Sequence, residues 1–259
     1  MHDPRSILIT GASSGIGRAL ALAYAKPGVT LFLGGRDGTR LSKLAVSCVA
    51  LGASVHERGV DVTDRSAMAV WIADSDTINP LDLVIANAGI TAGTNATDAL
   101  EKETQVRRLF AVNVDGVLNT VLPALPLMQL REHGQIALMS SMAGFRGLAG
   151  ASTYCATKAA VRVLGEGLRG SLNGSGISVS VICPGYVRTP MTDKNSFPMP
   201  FLMTVERAAC IIRTGLARNR SRIAFPRRLY AALWLLQVLP ITLTDAIVAR
   251  LPRKGEAAD

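Results

Sequence analysis

Seven short apolar runs, separated by stretches of helical periodicity, constrain this chain more than any single motif. The runs are Ile7–Thr10, Val29–Gly34, Ala53–Asp61, Leu81–Ala86, Gly134–Ser141, Ile177–Cys183 and Arg222–Phe225. Helices are expected at Gly15–Lys26, Asp37–Ala50, Asp64–Ala73, Glu101–Gln129, Ser152–Leu172 and Thr204–Ala217. In the first, Ile16, Ala19, Leu20 and Ala23 recur at helical spacing, and Pro27-Gly28 stops it. In the second, Leu41, Leu44, Ala45 and Cys48 share a face. Pro123 and Pro126 are expected to bend or end the long helix. Near-continuous apolar strands alternating with helices predict a parallel sheet covered on both faces. Right-handed crossovers make such a sheet doubly wound. No repeat or low-complexity linker divides the chain. The expected organisation is one domain over residues 1–226 and a helical extension over 227–259.

In an open α/β sheet, ligands bind beyond the carboxyl ends of the strands. The turn after the first run reads Thr10-Gly11-Ala12-Ser13-Ser14-Gly15-Ile16-Gly17. Its glycines let backbone approach a pyrophosphate, and the helix that follows favours the negative charge. Gly11, Ser13, Ser14, Gly15, Ile16 and Gly17 are therefore candidate cofactor contacts. The second run ends Gly34-Gly35-Arg36-Asp37. An acid at this strand end would bind ribose hydroxyls; here Gly35 stands there and Arg36 follows, which suits a 2′-phosphate. NADP is expected ahead of NAD. Asp61 and Val62 close the third run, where an adenine would lie, and Asn87, Ala88 and Gly89 close the fourth.

Ser141 is followed thirteen positions later by Tyr154, and Tyr154 four positions later by Lys158. Four residues is about one helical turn, so the phenol and the ammonium share a face. A neighbouring ammonium favours the phenolate and lowers a tyrosine pKa that ordinarily lies near 10. Such a phenol can exchange a proton with a substrate oxygen, and Ser141 can supply a second hydrogen bond to it. Asn113 is a polar residue inside an expected helix. Pro184, Gly185, Val187 and Thr189 lie on the loop after the sixth run, where a hydroxyl and a backbone N–H suit a carboxamide.

The ordered set TGASSGIG, DVTD, NAG, an interior Asn, SSMAG, YCATK and PGYVRTP resembles the short-chain dehydrogenase/reductase family over about residues 5–225. The resemblance implies a Rossmann-like subunit with a seven-stranded parallel sheet and a nicotinamide cofactor. It places the family's catalytic tetrad at Asn113, Ser141, Tyr154 and Lys158. It makes Tyr154 the acid in reduction and the base in oxidation. Lys158 would bind the nicotinamide ribose and lower the tyrosine pKa, Ser141 orient the substrate oxygen, and Asn113 hold a water. The expected reaction interconverts a small-molecule carbonyl and secondary alcohol, on an apolar substrate, by a homodimer or homotetramer. A non-catalytic nucleotide-binding scaffold and a membrane-surface protein remain as alternatives. Thr91–Ala99, Phe145–Ala149 and Met191–Met203 are expected to choose the substrate.

The ending FPRRLYAALWLLQVLPITLTDAIVARLPRK lacks the VDGG-type strand of many tetrameric members, which argues against a fatty-acid-synthesis reductase. Leu229–Leu239 is apolar except Gln237; eleven helical residues span about 16 Å and do not cross a bilayer. A second helix is expected at Thr242–Leu251, folded back across Pro240. The extension is a cleft cover, a subunit interface or a peripheral membrane contact. From Pro200 onward ten Lys/Arg face four Asp/Glu, a net +6 of the chain's +9, which suits phosphates or an anionic membrane. No nucleic-acid partner is expected. Cys48, Cys155, Cys183 and Cys210 form no CxxC pair, and His2, His56 and His133 have no ligand spacing, so neither a metal nor a disulfide framework is expected. The N-terminus runs straight into a strand, and the expected location is cytoplasmic, or peripheral at the inner membrane face.

Overall fold

The computed structural model describes residues 3–94, 101–193, 195 and 197–248. Strands β1 (Ser6–Thr10), β2 (Thr30–Gly35), β3 (Ser54–Gly59), β4 (Leu83–Ala86), β5 (Gly134–Met139), β6 (Ile177–Pro184) and β7 (Arg222–Phe225) form one parallel sheet, in the order β3-β2-β1-β4-β5-β6-β7. The helices are α1 (Gly15–Tyr24), α2 (Gly38–Ala50), α3 (Arg65–Ile78), α4 (Glu103–Phe110), α5 (Gly116–Leu130), α6 (Ser152–Ser171), α7 (Val205–Ala217), α8 (Arg227–Val238) and α9 (Ile241–Val248).

The sheet carries a core on each face. Ile7, Ile9, Leu31 and Leu33 pack with α1, α2 and α7. Leu8, Phe32 and Val84 pack with α3, α5 and α6. Period-two alternation of strand side chains sends neighbours to opposite faces, so strands in the middle must be apolar throughout. This is the doubly wound Rossmann-like architecture that the sequence implies. From β1 the chain winds outward to β3, then returns to β4 and winds the other way. The crevice at the carboxyl ends of β1 and β4 is the ligand-binding switch point of such sheets.

Several boundaries differ from expectation. The third strand is shorter and largely exposed, because β3 is an edge strand with polar residues such as His56, Glu57 and Arg58. The fourth strand starts at Leu83 rather than Leu81. The helix after β3 runs to Ile78, kept amphipathic by Met68, Trp71, Ile72 and Ser75. The long helix is not continuous: a π-helical turn, Ala111–Asp115, separates α4 from α5. Pro123 and Pro126 do not end α5, which continues to Leu130. Its buried face, Val117, Val121, Ala124, Leu125 and Met128, holds it against the sheet. The residues 103–130 are the one described stretch long and apolar enough to span a bilayer, and they form a core helix here.

α8 packs its Tyr230 and Leu233 against the second core, and α9 covers residues 242–248 of the expected second helix, starting one residue earlier. Residues 249–251 of that helix, and 95–99 of the first substrate loop, lie outside the described residues.

Candidate active site

Asn113 lies in the π turn and Tyr154 and Lys158 on α6, while the other segments singled out in the sequence lie at strand carboxyl ends. β1 runs into Gly11–Gly17, β2 into Arg36, β3 toward Asp61 and Val62, β4 into Asn87–Gly89, β5 into Ser141, and β6 into Gly185–Thr189. A parallel sheet makes this inevitable once the strands are correctly placed.

The glycine turn is tightly built. Gly11 has φ +65 and Gly15 φ +53, conformations that disfavour a side chain. A Cβ on Gly17 would lie 2.4 Å from the Gly11 oxygen, and one on Gly11 2.8 Å from the Ala88 Cα. Asn87 locks this approach: Nδ2 donates to the carbonyls of Thr10 (2.9 Å) and Gly11 (3.2 Å). Thr10 Oγ1 accepts from the amides of Asn87 and Ala88 at 3.0 and 3.1 Å. The β1 and β4 turns thus form one bonded unit. Thr10 was not singled out by sequence, since a threonine ending an apolar strand is unexceptional. α2, α3 and α7 are capped by the side chains of Asp37, Asp64 and Thr204, but Ser14 makes no side-chain cap on α1, whose first turn has no acid. The cradle and the dipole of α1 fit a pyrophosphate. Across the turn, Gly15 faces Thr189: a Cβ there would lie 3.2 Å from its methyl. Thr189 is held by Thr192, whose hydroxyl accepts from its amide at 2.9 Å and donates to the Val187 carbonyl at 2.7 Å. Val187 is buried; Gly185 and the adjoining Pro184 lie against β7 and α8.

At the end of β2 Gly35 is buried near Ser13, Arg36 is exposed, and Asp37 is turned to α2, accepting from Arg40 N at 2.9 Å. Asp61 accepts from the amide and hydroxyl of Thr63, both at 2.9 Å. Burial alone would raise its carboxyl; the Thr63 bonds, with Arg36 and Arg108 nearby, hold it below the ordinary value. Val62 is buried under Gly116, and its carbonyl accepts from Asn119 at 2.9 Å.

Asn113 sits fully buried in the π turn. Its Oδ1 accepts from Ile90 N at 2.8 Å, and its Nδ2 donates to Ile90 O at 3.0 Å and to Thr157 Oγ1 at 3.1 Å. The carboxamide thereby ties the β4 loop to α6. Thr157 went unremarked in the sequence because its role depends on a partner 44 residues away. Lys158 is 4 % exposed, and Nζ donates to Met139 O at 3.0 Å. Gly89 lies between the two: a Cβ there would sit 3.2 Å from both Asn113 Oδ1 and Lys158 Nζ. Ser141 caps a 3-10 turn, Met142–Phe145, accepting from Ala143 N at 3.1 Å. The turn presses on α6 through Gly144, whose Cβ would lie 2.7 Å from the Lys158 backbone. Ser140 adds a bond from Oγ to Lys158 O at 2.7 Å. Asn113, Ser141, Tyr154 and Lys158 are therefore brought to one place.

Tyr154 and Lys158 share a face of α6, with Nζ 5.9 Å from the ring centroid. The expectation of a lowered phenol pKa does not hold in the protein by itself. Burial pushes Tyr154 up to about 12; a hydrogen bond with Ser141 pulls the other way and loses. Burial also brings Lys158 down to about 8. Desolvation, which disfavours both charged forms, is the largest cause of each shift.

Beyond Ser141, Phe145 is stacked between two guanidinium groups, Arg162 at 4.9 Å and Arg222 at 5.3 Å from its ring, with the Tyr230 ring edge-on at 5.5 Å. Both arginines pair with Glu166. α8 and α9 reach the same turn: Gln237 donates to Phe145 O at 2.7 Å, and Arg146 bonds Thr244 and Asp245. A groove of about 470 Å³ along β3 and α3, lined by Phe32, His56 and Trp71, shares no residue with this site. The described residues hold no group of three or more His, Cys, Asp or Glu able to bind a metal.

A sequence model of the short chain dehydrogenases matches residues 5–198, from β1 past the Thr189 loop. The protein belongs to the short-chain dehydrogenase/reductase family. An uncharacterized oxidoreductase of Myxococcus xanthus is 41 % identical over 248 residues, covering 95 % of this chain and 97 % of that one. A short-chain dehydrogenase from Sphingobium yanoikuyae, solved with NADPH, superimposes with a TM-score of 0.79 at 27 % identity over 98 % of both chains. One from Mycobacterium paratuberculosis, solved with NAD, gives 0.75 at 25 % identity over 85 % of this chain and 94 % of that one. As a short-chain dehydrogenase/reductase, the chain is an NAD(P)-dependent oxidoreductase.

Proposed function

We propose that this short-chain dehydrogenase/reductase uses NADP(H) to interconvert a carbonyl and a secondary alcohol on an apolar substrate. The observation that carries the reading is the meeting of Ser141, Tyr154 and Lys158 beyond β5, beside the glycine turn of β1. Gly11–Gly17 and the start of α1 would hold the pyrophosphate, Asp61 and Val62 the adenine, Asn87–Gly89 and Lys158 the nicotinamide ribose, and Pro184–Thr189 the carboxamide. When bound, the nicotinamide supplies hydride in reduction and takes it in oxidation.

The side chains do the rest. Ser141 and Tyr154 both aim a hydroxyl at the substrate oxygen. With its pKa near 12, the phenol is protonated at neutral pH, the form that donates to a carbonyl. In oxidation the same oxygen takes the proton back, and the Lys158 ammonium favours that phenolate. The Asn113 side chain is committed to Ile90 and Thr157, so a relay water would meet main chain of the π turn. Arg36 stands exposed where an acid would oppose a 2′-phosphate, and Asp37 is engaged as a cap; this supports NADP. Tyr186, Phe197 and Met203 around the loop after β6 support an apolar substrate. The reading includes residues 1–226 as the catalytic unit, a homodimer or homotetramer, and a cytoplasmic location with peripheral membrane contact through the extension.

Parallel screens of apolar ketones and aldehydes with NADPH and NADH test it. Turnover is expected with NADPH, and Tyr154→Phe should lower it by about 10²–10⁴-fold while cofactor still binds. A near-normal rate in that variant would sink the assignment.

A further inference from the structure

Past Arg227 and Arg228, α8 carries one polar side chain, Gln237, which is bonded to Phe145 O. Leu229, Tyr230, Leu233 and Leu236 turn inward. Ala231, Trp234, Leu235 and Val238 face outward, with Trp234 and Leu235 each 54 % exposed and Val238 61 %. Leu243 of α9 adds another exposed aliphatic side chain. An apolar helix face is normally covered. Arg227 and Arg228 stand exposed at its start, and Arg250, Arg253 and Lys254 follow in the sequence. The nearby acid on α9, Asp245, is paired with Arg146.

We propose that this outer face docks flat on an anionic lipid surface. Trp234, Leu235, Val238 and Leu243 enter the acyl boundary, and Arg227 and Arg228 meet headgroup phosphates. Twelve residues of helix reach about 18 Å, short of the roughly 30 Å hydrocarbon core, so α8 lies on a bilayer rather than across it. Charge separates a lipid surface from a second copy of this chain. A two-fold pair through this face would bury Arg227 and Arg228 of both copies with no acid on α8 to pair them, whereas an anionic bilayer complements them. The inner side of α8 borders the active-site mouth. Gln237 bonds Phe145 O, and Leu229 lies against Gly185, whose Cβ would be 3.2 Å from it. Docking thus leaves only α8 between the lipid and the Ser141 turn, and, on the reading of the protein as a carbonyl reductase, the substrate class becomes carbonyls carried by lipid.

The test is flotation of the full chain with vesicles of phosphatidylcholine alone or mixed equally with phosphatidylglycerol. Tryptophan emission is read alongside. Trp71 is buried at 3 % exposure, so a blue shift reports Trp234. Flotation and a blue shift with the anionic vesicles are expected. The double variant Arg227→Ala/Arg228→Ala should bind them about thirtyfold more weakly, and Leu235→Ser should float less. No flotation and no shift on anionic vesicles overturns the proposal. So does equal binding by the arginine variant, or self-association in sedimentation that Leu235→Glu abolishes while vesicles stay unbound. Turnover of a water-soluble ketone with NADPH, measured without vesicles, judges the reductase reading separately.

Discussion

Lys158 donates from Nζ to the carbonyl of Met139 at 3.0 Å, joining α6 to the last residue of β5 inside the protein. The bond fixes the ammonium, but burial still lowers its pKa from 10.5 to about 8. The sign follows from proton binding. Between pH 8 and 10.5 the unfolded chain keeps a proton that the folded chain has lost, so stability from this group rises with pH. Below pH 8 the folded protein carries the full cost of a buried charge. Lys158→Met removes the effect. The unfolding free energy of the wild type relative to this variant should increase by about 2–3 kcal/mol from pH 7 to pH 10, measured by urea denaturation. A difference that stays flat would contradict the buried ammonium.

Gly89 leaves just enough room for Asn113 and Lys158 to approach. Gly89→Ala places a methyl 3.2 Å from Oδ1 of one and Nζ of the other. Both must shift by tenths of an ångström, so kcat/KM should fall about ten- to hundredfold while thermal unfolding changes little. A large drop in Tm instead would assign Gly89 to packing.

Arg36→Glu replaces a cation at the end of β2 by an anion. Loss of a charge-assisted bond to the 2′-phosphate should weaken NADPH binding about ten- to hundredfold, with NADH nearly unchanged. Titration of both cofactors by fluorescence reads this; equal effects remove the phosphate contact.

Phe145 is 5 % exposed between two arginines. Phe145→Ala should cost about 3–5 kcal/mol of stability. A double-mutant cycle with Arg222→Leu should show a coupling of about 0.5–2 kcal/mol. Purely additive effects would mean that the stacking contributes nothing.

The doubly wound sheet was legible because apolar runs and glycine punctuation are local signals. The shared face of Tyr154 and Lys158 was legible from their spacing, whereas their company with Ser141 and Asn113 came from the resemblance of the ordered motifs. What escaped depends on partners far away in sequence. Thr10 matters through Asn87, Thr157 through Asn113, and Phe145 through Arg222 and Gln237. The polar third strand was misjudged in extent because an edge strand need not be apolar. The phenol pKa was misjudged because helical spacing gives proximity to Lys158 but says nothing of water.

The π turn has a consequence for phase. Leu109, Asn113 and Val117 are all buried, in two successive steps of four. An ordinary helix would carry Val117 about 80° around from Leu109; the wider turn absorbs that rotation. Deleting Val114 would restore regular winding and leave Leu109 and Val117 seven residues apart, within about 20° of one face. The buried faces of α4 and α5 would stay in line, but Asn113 would be turned about 40° away from Leu109, off the line it now shares.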